Sequence, residues 1–221
     1  MCASGPRSSL REPDRHLVVA PDMSTAADLG PAINWLAAGG VVAYPTDTFY
    51  GLAVDPGSPA AVANLFALKG RSHALALPLV AASVAQVEAH VGDLPGRSAA
   101  LAAAFWPGPL SLIVDAHDWI APDVHGGRGT VAIRVPDHHV ARMLADGFGR
   151  PVTATSANRS GAPAALTAAE LADLADDPRV LIVDAGRAPG GPPSTIVDAR
   201  NEPPVCVRPG AIAWERVLTS R

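Results

Sequence analysis

Short β-rich runs alternate with helical stretches through most of this chain, and then the alternation stops. Val41–Tyr44, Leu77–Ala81, Leu110–Val114, Thr130–Val135 and Val152–Thr155 read as strands. Ser24–Ala38, Pro59–Leu68, Ser83–Val91, Arg97–Phe105, His138–Ala145 and Thr167–Leu174 read as helices. Ser24 or Thr25, Ser58 and Thr167 stand where N-caps are needed, and Gly39-Gly40 closes the first helix. After the last helix, Val180–Asp184, Ser194–Asp198 and Pro204–Arg208 follow as strands with no helix between them. Strict alternation gives a parallel sheet. This pattern predicts an α/β fold of the α+β type, with a twisted mixed β-sheet and helices packed on it.

The chain can bury a core of that kind. Of its 221 residues, 48% are hydrophobic and 17% charged, which excludes general disorder. Its 20 Gly and 22 Pro punctuate the whole length without a period, so collagen-like and low-complexity readings fail. Residues 1–20 read as a flexible leader and 21–221 as a single domain. The leader lacks the apolar run of a secretory signal, and the uncharged stretches Leu29–Thr46 and Ser98–Val114 contain Pro and Gly and do not read as membrane spans. Cys2 and Cys206 form no CxxC pair, which excludes a Cys-built zinc site and fits a reducing cytoplasm. The net charge of −4 argues against a broad nucleic-acid surface while leaving room for a local basic pocket.

Four segments carry polar chemistry. Pro45-Thr46-Asp47-Thr48-Phe49-Tyr50-Gly51-Leu52 follows a strand and puts two hydroxyls, a carboxylate and a phenol into a tight turn. It is either a ligand loop or a self-capped turn. Lys69-Gly70-Arg71 places two cations at a helix exit, where they answer either a di- or triphosphate or the helix dipole. Lys69 is the one Lys among 17 basic residues, so its ammonium stands out from a guanidinium background. Thr155-Ser156-Ala157-Asn158-Arg159-Ser160-Gly161 offers hydroxyls, an amide and backbone N–H groups to an anion, or is an ordinary polar loop. Thr130, Ala132 and Arg134 share one strand face. An Arg on an apolar strand needs a bound anion or an internal salt bridge.

Trp106-Pro107-Gly108-Pro109-Leu110-Ser111 reads as a rigid turn, and His138-His139 as a surface pair with no third metal ligand at sensible spacing. The chain contains no Walker A loop, GxGxxG, HExxH or GxSxG.

Taken in order, Pro45–Leu52, Lys69–Arg71, Trp106–Ser111, Val131–Pro136, Thr155–Gly161, Ser194–Asp198 and Arg208-Pro209-Gly210 resemble the YrdC-like family of L-threonylcarbamoyladenylate synthases over about residues 25–213. The resemblance implies a large concave cavity in the mixed sheet and a single-domain chain. It implies condensation of L-threonine, bicarbonate and ATP to threonylcarbamoyl-AMP and pyrophosphate, a nucleotidyltransferase reaction. Other proteins of the family's pathway then transfer the group to adenosine 37 of tRNAs, tRNA itself being a weaker expectation as a partner.

Position by position, the resemblance assigns Thr48, Arg134, the backbone of Ala154 and Ser194 to threonine. It assigns Lys69, Arg71, Ser156, Asn158, Thr130 and Arg208 to ATP, with Lys69 and Arg71 as the catalytic cations. A Mg²⁺ ion would be held by the phosphates. The chain departs from the pattern K-x-R-P-x-x-[K/N]-P-L by two extra residues after Arg71, by Leu77 before Pro78-Leu79, by Ala82 near a ligand-facing His of some members, by Ala164 for a frequent Ser and by Ser111 for a frequent Thr. The phosphate side is therefore expected to be less polar than usual. Two alternatives stay open: a non-catalytic YrdC-like module that binds nucleotide or RNA, and a carbamoyl-AMP-forming relative, which the missing zinc-finger and acylphosphatase segments weigh against.

Overall fold

The computed structural model describes residues 15–19, 26–70 and 76–220. Arg71 and the caps at Ser24 and Thr25 lie outside the described residues. In chain order the strands are β1 (His16–Val18), β2 (Val41–Pro45), β3 (Tyr50–Ala53), β4 (Leu79–Val80), β5 (Leu110–Asp115), β6 (Thr130–Arg134), β7 (Val152–Thr153), β8 (Thr155–Ser156), β9 (Val180–Asp184), β10 (Thr195–Asp198) and β11 (Val205–Arg208). The helices are α1 (Gly30–Ala37), α2 (Pro59–Lys69), α3 (Val84–Val91), α4 (Gly96–Phe105), α5 (Pro122–His125), α6 (His139–Phe148), α7 (Ala172–Ala175) and α8 (Trp214–Thr219).

The mixed pairing expected from the sequence is present, but it is divided between two sheets. The first runs β1-β9-β2-β3-β8 and the second β11-β10-β5-β6-β4-β7. β9 pairs parallel with β1 and β2, whereas β3 pairs antiparallel with β2 and β8. In the second sheet β10 lies parallel to β5 and antiparallel to β11. The split arises at Ala154. Val152–Thr155 reads as one strand, yet Val152–Thr153 pairs with β4 while Thr155 joins β3. Ala154 itself donates its N–H to the Pro78 carbonyl at 2.8 Å, handing the chain from one sheet to the other.

The inner strands of the first sheet are buried on both faces. Val41 and Ala43 of β2, with Val180 and Ile182 of β9, point into the core that also holds Val62, Leu65 and Phe66 of α2. The alternate residues Val42, Tyr44, Leu181 and Val183 point into a second core with Trp35 and Leu36 of α1 and Val140 and Leu144 of α6. Period-two alternation thus feeds two cores from one strand, which is why these strands look apolar throughout.

Several local expectations need correction. The sheet begins inside the stretch read as a leader: β1 pairs His16 with Ile182, and Arg15 donates to the Asp177 carbonyl at 2.6 Å beyond the end of α7. Tyr50–Ala53, read as part of a loop, is a strand whose partner register sets Pro45 opposite Tyr50. Pro45, lacking an N–H, falls at the hairpin end, where the ladder gives way to the turn. Thr167–Leu174 divides into a 3₁₀ turn at Ala168–Leu171 and α7. Thr167 provides no side-chain cap there; Glu170 instead accepts the N–H of Leu166 at 2.8 Å. Between β5 and β6, where no helix is expected, the chain forms α5.

Other expectations hold. Ser58 Oγ accepts the N–H of Ala61 at 3.3 Å and caps α2. Gly70 ends α2 in the left-handed region at φ +59°, a conformation that suits glycine.

Candidate functional site

The two sheets and their connecting loops enclose a cavity of about 830 Å³. The hairpin turn between β2 and β3 supplies Thr46 and Thr48, and β6 presents Thr130, Ala132 and Arg134 from one face, as alternation requires. The sheet-to-sheet crossing contributes Ala154 and Ser156. Ser194, just ahead of β10, and Arg208, at the end of β11, close the far wall. Thr48, Thr130, Arg134, Ala154, Ser156, Ser194 and Arg208, singled out from the sequence across 160 residues, therefore meet at one place.

The backbone around Ser194 is fixed by close packing. A Cβ on Gly210 would collide with the Pro193 carbonyl oxygen, so the Arg208-Pro209-Gly210 turn can approach only as glycine. Arg208 donates to the Ser194 carbonyl at 2.7 Å and to its hydroxyl at 3.0 Å. Ser111 Oγ lies 3.0 Å from Ser194 Oγ, which sets that hydroxyl from the other side.

Arg134 is buried, and its partner is internal. Its guanidinium forms an ion pair with the Asp47 carboxylate, and Nη2 reaches Thr46 Oγ1 at 3.4 Å. Of the two anion sources left open by the sequence, Asp47 is the one present. Sequence reasoning placed Asp47 in the turn and Arg134 on the strand but did not join them. Nothing in the local pattern links positions 87 residues apart, although a buried cation on a strand did signal that some carboxylate was required.

Lys69, expected from the resemblance to bind phosphate, is 4% exposed at the end of α2. Its Nζ donates to the Ser156 carbonyl at 2.5 Å and to the carbonyl and Oδ1 of Asn158, both at 2.9 Å. Ser160 returns its N–H to the Lys69 carbonyl at 2.9 Å. Asn158 Oδ1 also accepts the Ser156 hydroxyl at 2.7 Å. The ammonium thus organises the loop that presents Ser156, and Asn158 stands behind the wall rather than on it.

Phe49 and Tyr50, from the turn segment singled out in the sequence, also line the cavity. The apolar walls were less legible: Ile113, Pro193, Ile196 and Val207 line it too, and by residue type they are indistinguishable from core or turn residues. Leu77 and Ala164, noted as departures from the resembled pattern, do reach the cavity and make that side apolar.

The electrostatics favour an anionic ligand. Among the described residues, Arg128, Arg134 and Arg208 line the cavity with one carboxylate, Asp198, which Arg200 binds at 2.8 Å, while Asp47 pairs with Arg134 from outside the lining. Burial, then the nearby charge of Arg134, holds the Arg208 guanidinium below its ordinary range. Among the described residues no carboxylate pairs with Arg208, so a bound anion would relieve it. The phenols are not proton-transfer groups at neutral pH. Burial pushes Tyr50 up to about 12 and Tyr44 higher still, and each donates to a backbone carbonyl, Tyr50 to Gly186 at 2.7 Å. Among the described residues no group of three or more His, Cys, Asp or Glu could hold a metal ion, and His138-His139 belongs to none.

A family model described as "Telomere recombination", covering the Sua5, YciO and YrdC proteins, matches residues 34–210. The chain belongs to this family. Within it, the threonylcarbamoyl-AMP synthase of Alkalilimnicola ehrlichii is 46% identical over 149 residues, 64% of this chain and 77% of the relative. The threonylcarbamoyl-AMP synthase of Bacillus subtilis is 38% identical over 80% of this chain, which spans about half (51%) of that relative's length. The crystal structure of Sua5 from Pyrococcus abyssi complexed with L-threonine superposes with a TM-score of 0.83 at 32% identity, over 93% of this chain and 61% of that one. The Sua5/YciO/YrdC fold therefore accounts for the two sheets and for the cavity they enclose.

Proposed function

We propose that this chain is a threonylcarbamoyl-AMP synthase that condenses L-threonine, bicarbonate and ATP and releases pyrophosphate. The observation that carries the reading is the cavity. Thr48, Arg134, Ala154 and Ser194 suit an amino acid with a carboxylate, and Thr130, Ser156 and Arg208 suit a nucleotide, within one enclosure of about 830 Å³. Relatives up to 46% identical carry the synthase name, which favours the enzyme over a non-catalytic binding module.

The threonine amine adds to CO₂ and releases a proton, or condenses with bicarbonate and releases water, to form a carbamate. A carbamate oxygen then attacks the α-phosphorus of ATP and pyrophosphate leaves. This chemistry needs alignment and charge stabilisation more than a general base. Arg134 receives the threonine carboxylate, and the hydroxyls of Thr48 and Ser194 orient the amino acid. The half-buried Arg208 offsets nucleotide charge, and Thr130 stands beside it on the second sheet. Lys69 keeps the Ser156 loop in place. Arg71 retains its assigned phosphate role. Among the described residues no group of three or more His, Cys, Asp or Glu stands ready for a metal, so we assign Mg²⁺ to the triphosphate it accompanies.

No described helix is long and apolar enough to cross a membrane. Pyrophosphate release measured with and without threonine tests the reading. Release that depends on threonine is the expected result; ATP binding without any such release leaves a binding module.

A further inference from the structure

We propose that Asp47 is the positioning residue for threonine: its carboxylate braces Arg134 from behind so that the guanidinium meets the substrate carboxylate in a fixed pose. The proposal rests on the threonine reading of the cavity given above. Both side chains of the pair are below a tenth exposed, at 8% for Asp47 and 9% for Arg134. Only Arg134 lines the cavity. Asp47 therefore acts through Arg134 and does not touch substrate.

The brace joins the two sheets. Asp47 sits in the hairpin turn of the first sheet, and Arg134 ends β6 in the second. Asp47 Oδ1 takes the guanidinium Nη1, Oδ2 accepts the N–H of Asp137 at 3.3 Å, and Thr46 Oγ1 meets Nη2 at 3.4 Å. The turn is itself held. Thr46 N–H donates to the Phe49 carbonyl at 3.2 Å, and the Gly190 N–H donates to the Thr48 carbonyl at 2.7 Å. Thr48 and Arg134 thus approach one ligand from different sheets, and the Asp47 pair sets the distance between them. A planar guanidinium gripped along one edge keeps its other donors for a bidentate carboxylate partner.

A carboxylate that only tied the sheets together would, when removed, lower stability and raise both Michaelis constants. A positioning carboxylate moves threonine alone, because Arg208 and Ser156 are held by other contacts.

The test uses the full chain with Asp47→Asn and Asp47→Glu. Threonine and ATP KM come from pyrophosphate release, and threonine Kd from calorimetry with a non-hydrolysable ATP analogue present. Asp47→Asn should raise threonine KM and Kd about 10- to 100-fold, as displacement of a binding group by an ångström does. ATP KM should stay within about twofold. Asp47→Glu should fall between the variant and the parent, and it decides by the same ratio if Asp47→Asn fails to fold. Unchanged threonine affinity, tighter threonine binding, or equal loss for both substrates would overturn the proposal. A parent chain that binds threonine without turnover would remove the synthase reading alone, and the Kd ratio would still judge Asp47. A parent chain that binds no threonine removes both.

Discussion

Replacing Lys69 with Met separates two roles for the single ammonium of this chain. Lys69 Nζ lies within hydrogen-bond reach of the Ser156 carbonyl and of the carbonyl and Oδ1 of Asn158. Met keeps most of the buried stem and removes the donors. Asn158 Oδ1 retains the Ser156 hydroxyl as a partner, so the two carbonyls suffer most. Leaving a buried acceptor unpaired costs about 1–3 kcal/mol. Ser156 is exposed and Asn158 half-buried, so water takes up part of the loss and the two carbonyls together give roughly 1–2 kcal/mol. For a domain of this size each kcal/mol lowers Tm by about 2–4 °C, so a fall of roughly 2–8 °C is expected by scanning calorimetry. Displacement of Ser156 should raise ATP KM in the same variant while threonine Kd changes little. An unchanged Tm with lost turnover would refute the reasoning, because the ammonium would then act on the phosphates and not on the loop.

Other perturbations probe separate walls. Arg134→Lys turns a fork into a point charge, so threonine KM should rise more than ATP KM in pyrophosphate-release assays. Arg208→Gln removes a half-buried cation that also donates to the Ser194 carbonyl and hydroxyl, so ATP KM should rise about 10-fold, as expected for one charge-assisted contact, with a smaller rise in threonine KM and a fall in Tm from the lost hydrogen bonds. Ser58→Ala should lower stability by about 1 kcal/mol in urea titrations without touching either KM, because it removes only the cap of α2. Burial holds His138 below its ordinary value of 6.5, so the unfolded chain takes up that proton first. Stability should therefore fall as pH drops below about 6.5, and His138→Gln should flatten that part of the stability curve.

The sequence was informative where physics is local. Ser58 announces its helix because a hydroxyl one residue ahead of an apolar periodic stretch meets an orphan N–H. Thr130, Ala132 and Arg134 announced a shared face because strand side chains alternate. The order of the polar segments located most of the cavity. What stayed hidden depends on distance along the chain. β3 was concealed by the polar turn before it and by Gly51, and only pairing with β2 makes it a strand. The division into two sheets turns on one residue, Ala154, whose N–H goes to Pro78. Lys69 was noticed for its rarity and given to phosphate. Its carbonyl partners lie 87 and 89 residues away, and backbone oxygens leave no mark in a sequence. The apolar lining from Ile113, Ile196 and Val207 carries no signal that separates it from core.

The proposal that one cavity joins threonine, bicarbonate and ATP is tested by mass spectrometry of the nucleotide products formed from ¹³C-bicarbonate, ATP and L-threonine by the purified chain. The expected product is threonylcarbamoyl-AMP that carries the label, appears with pyrophosphate, and vanishes when threonine is omitted. Pyrophosphate release that is indifferent to threonine, or a labelled adduct that lacks the amino acid, would contradict it.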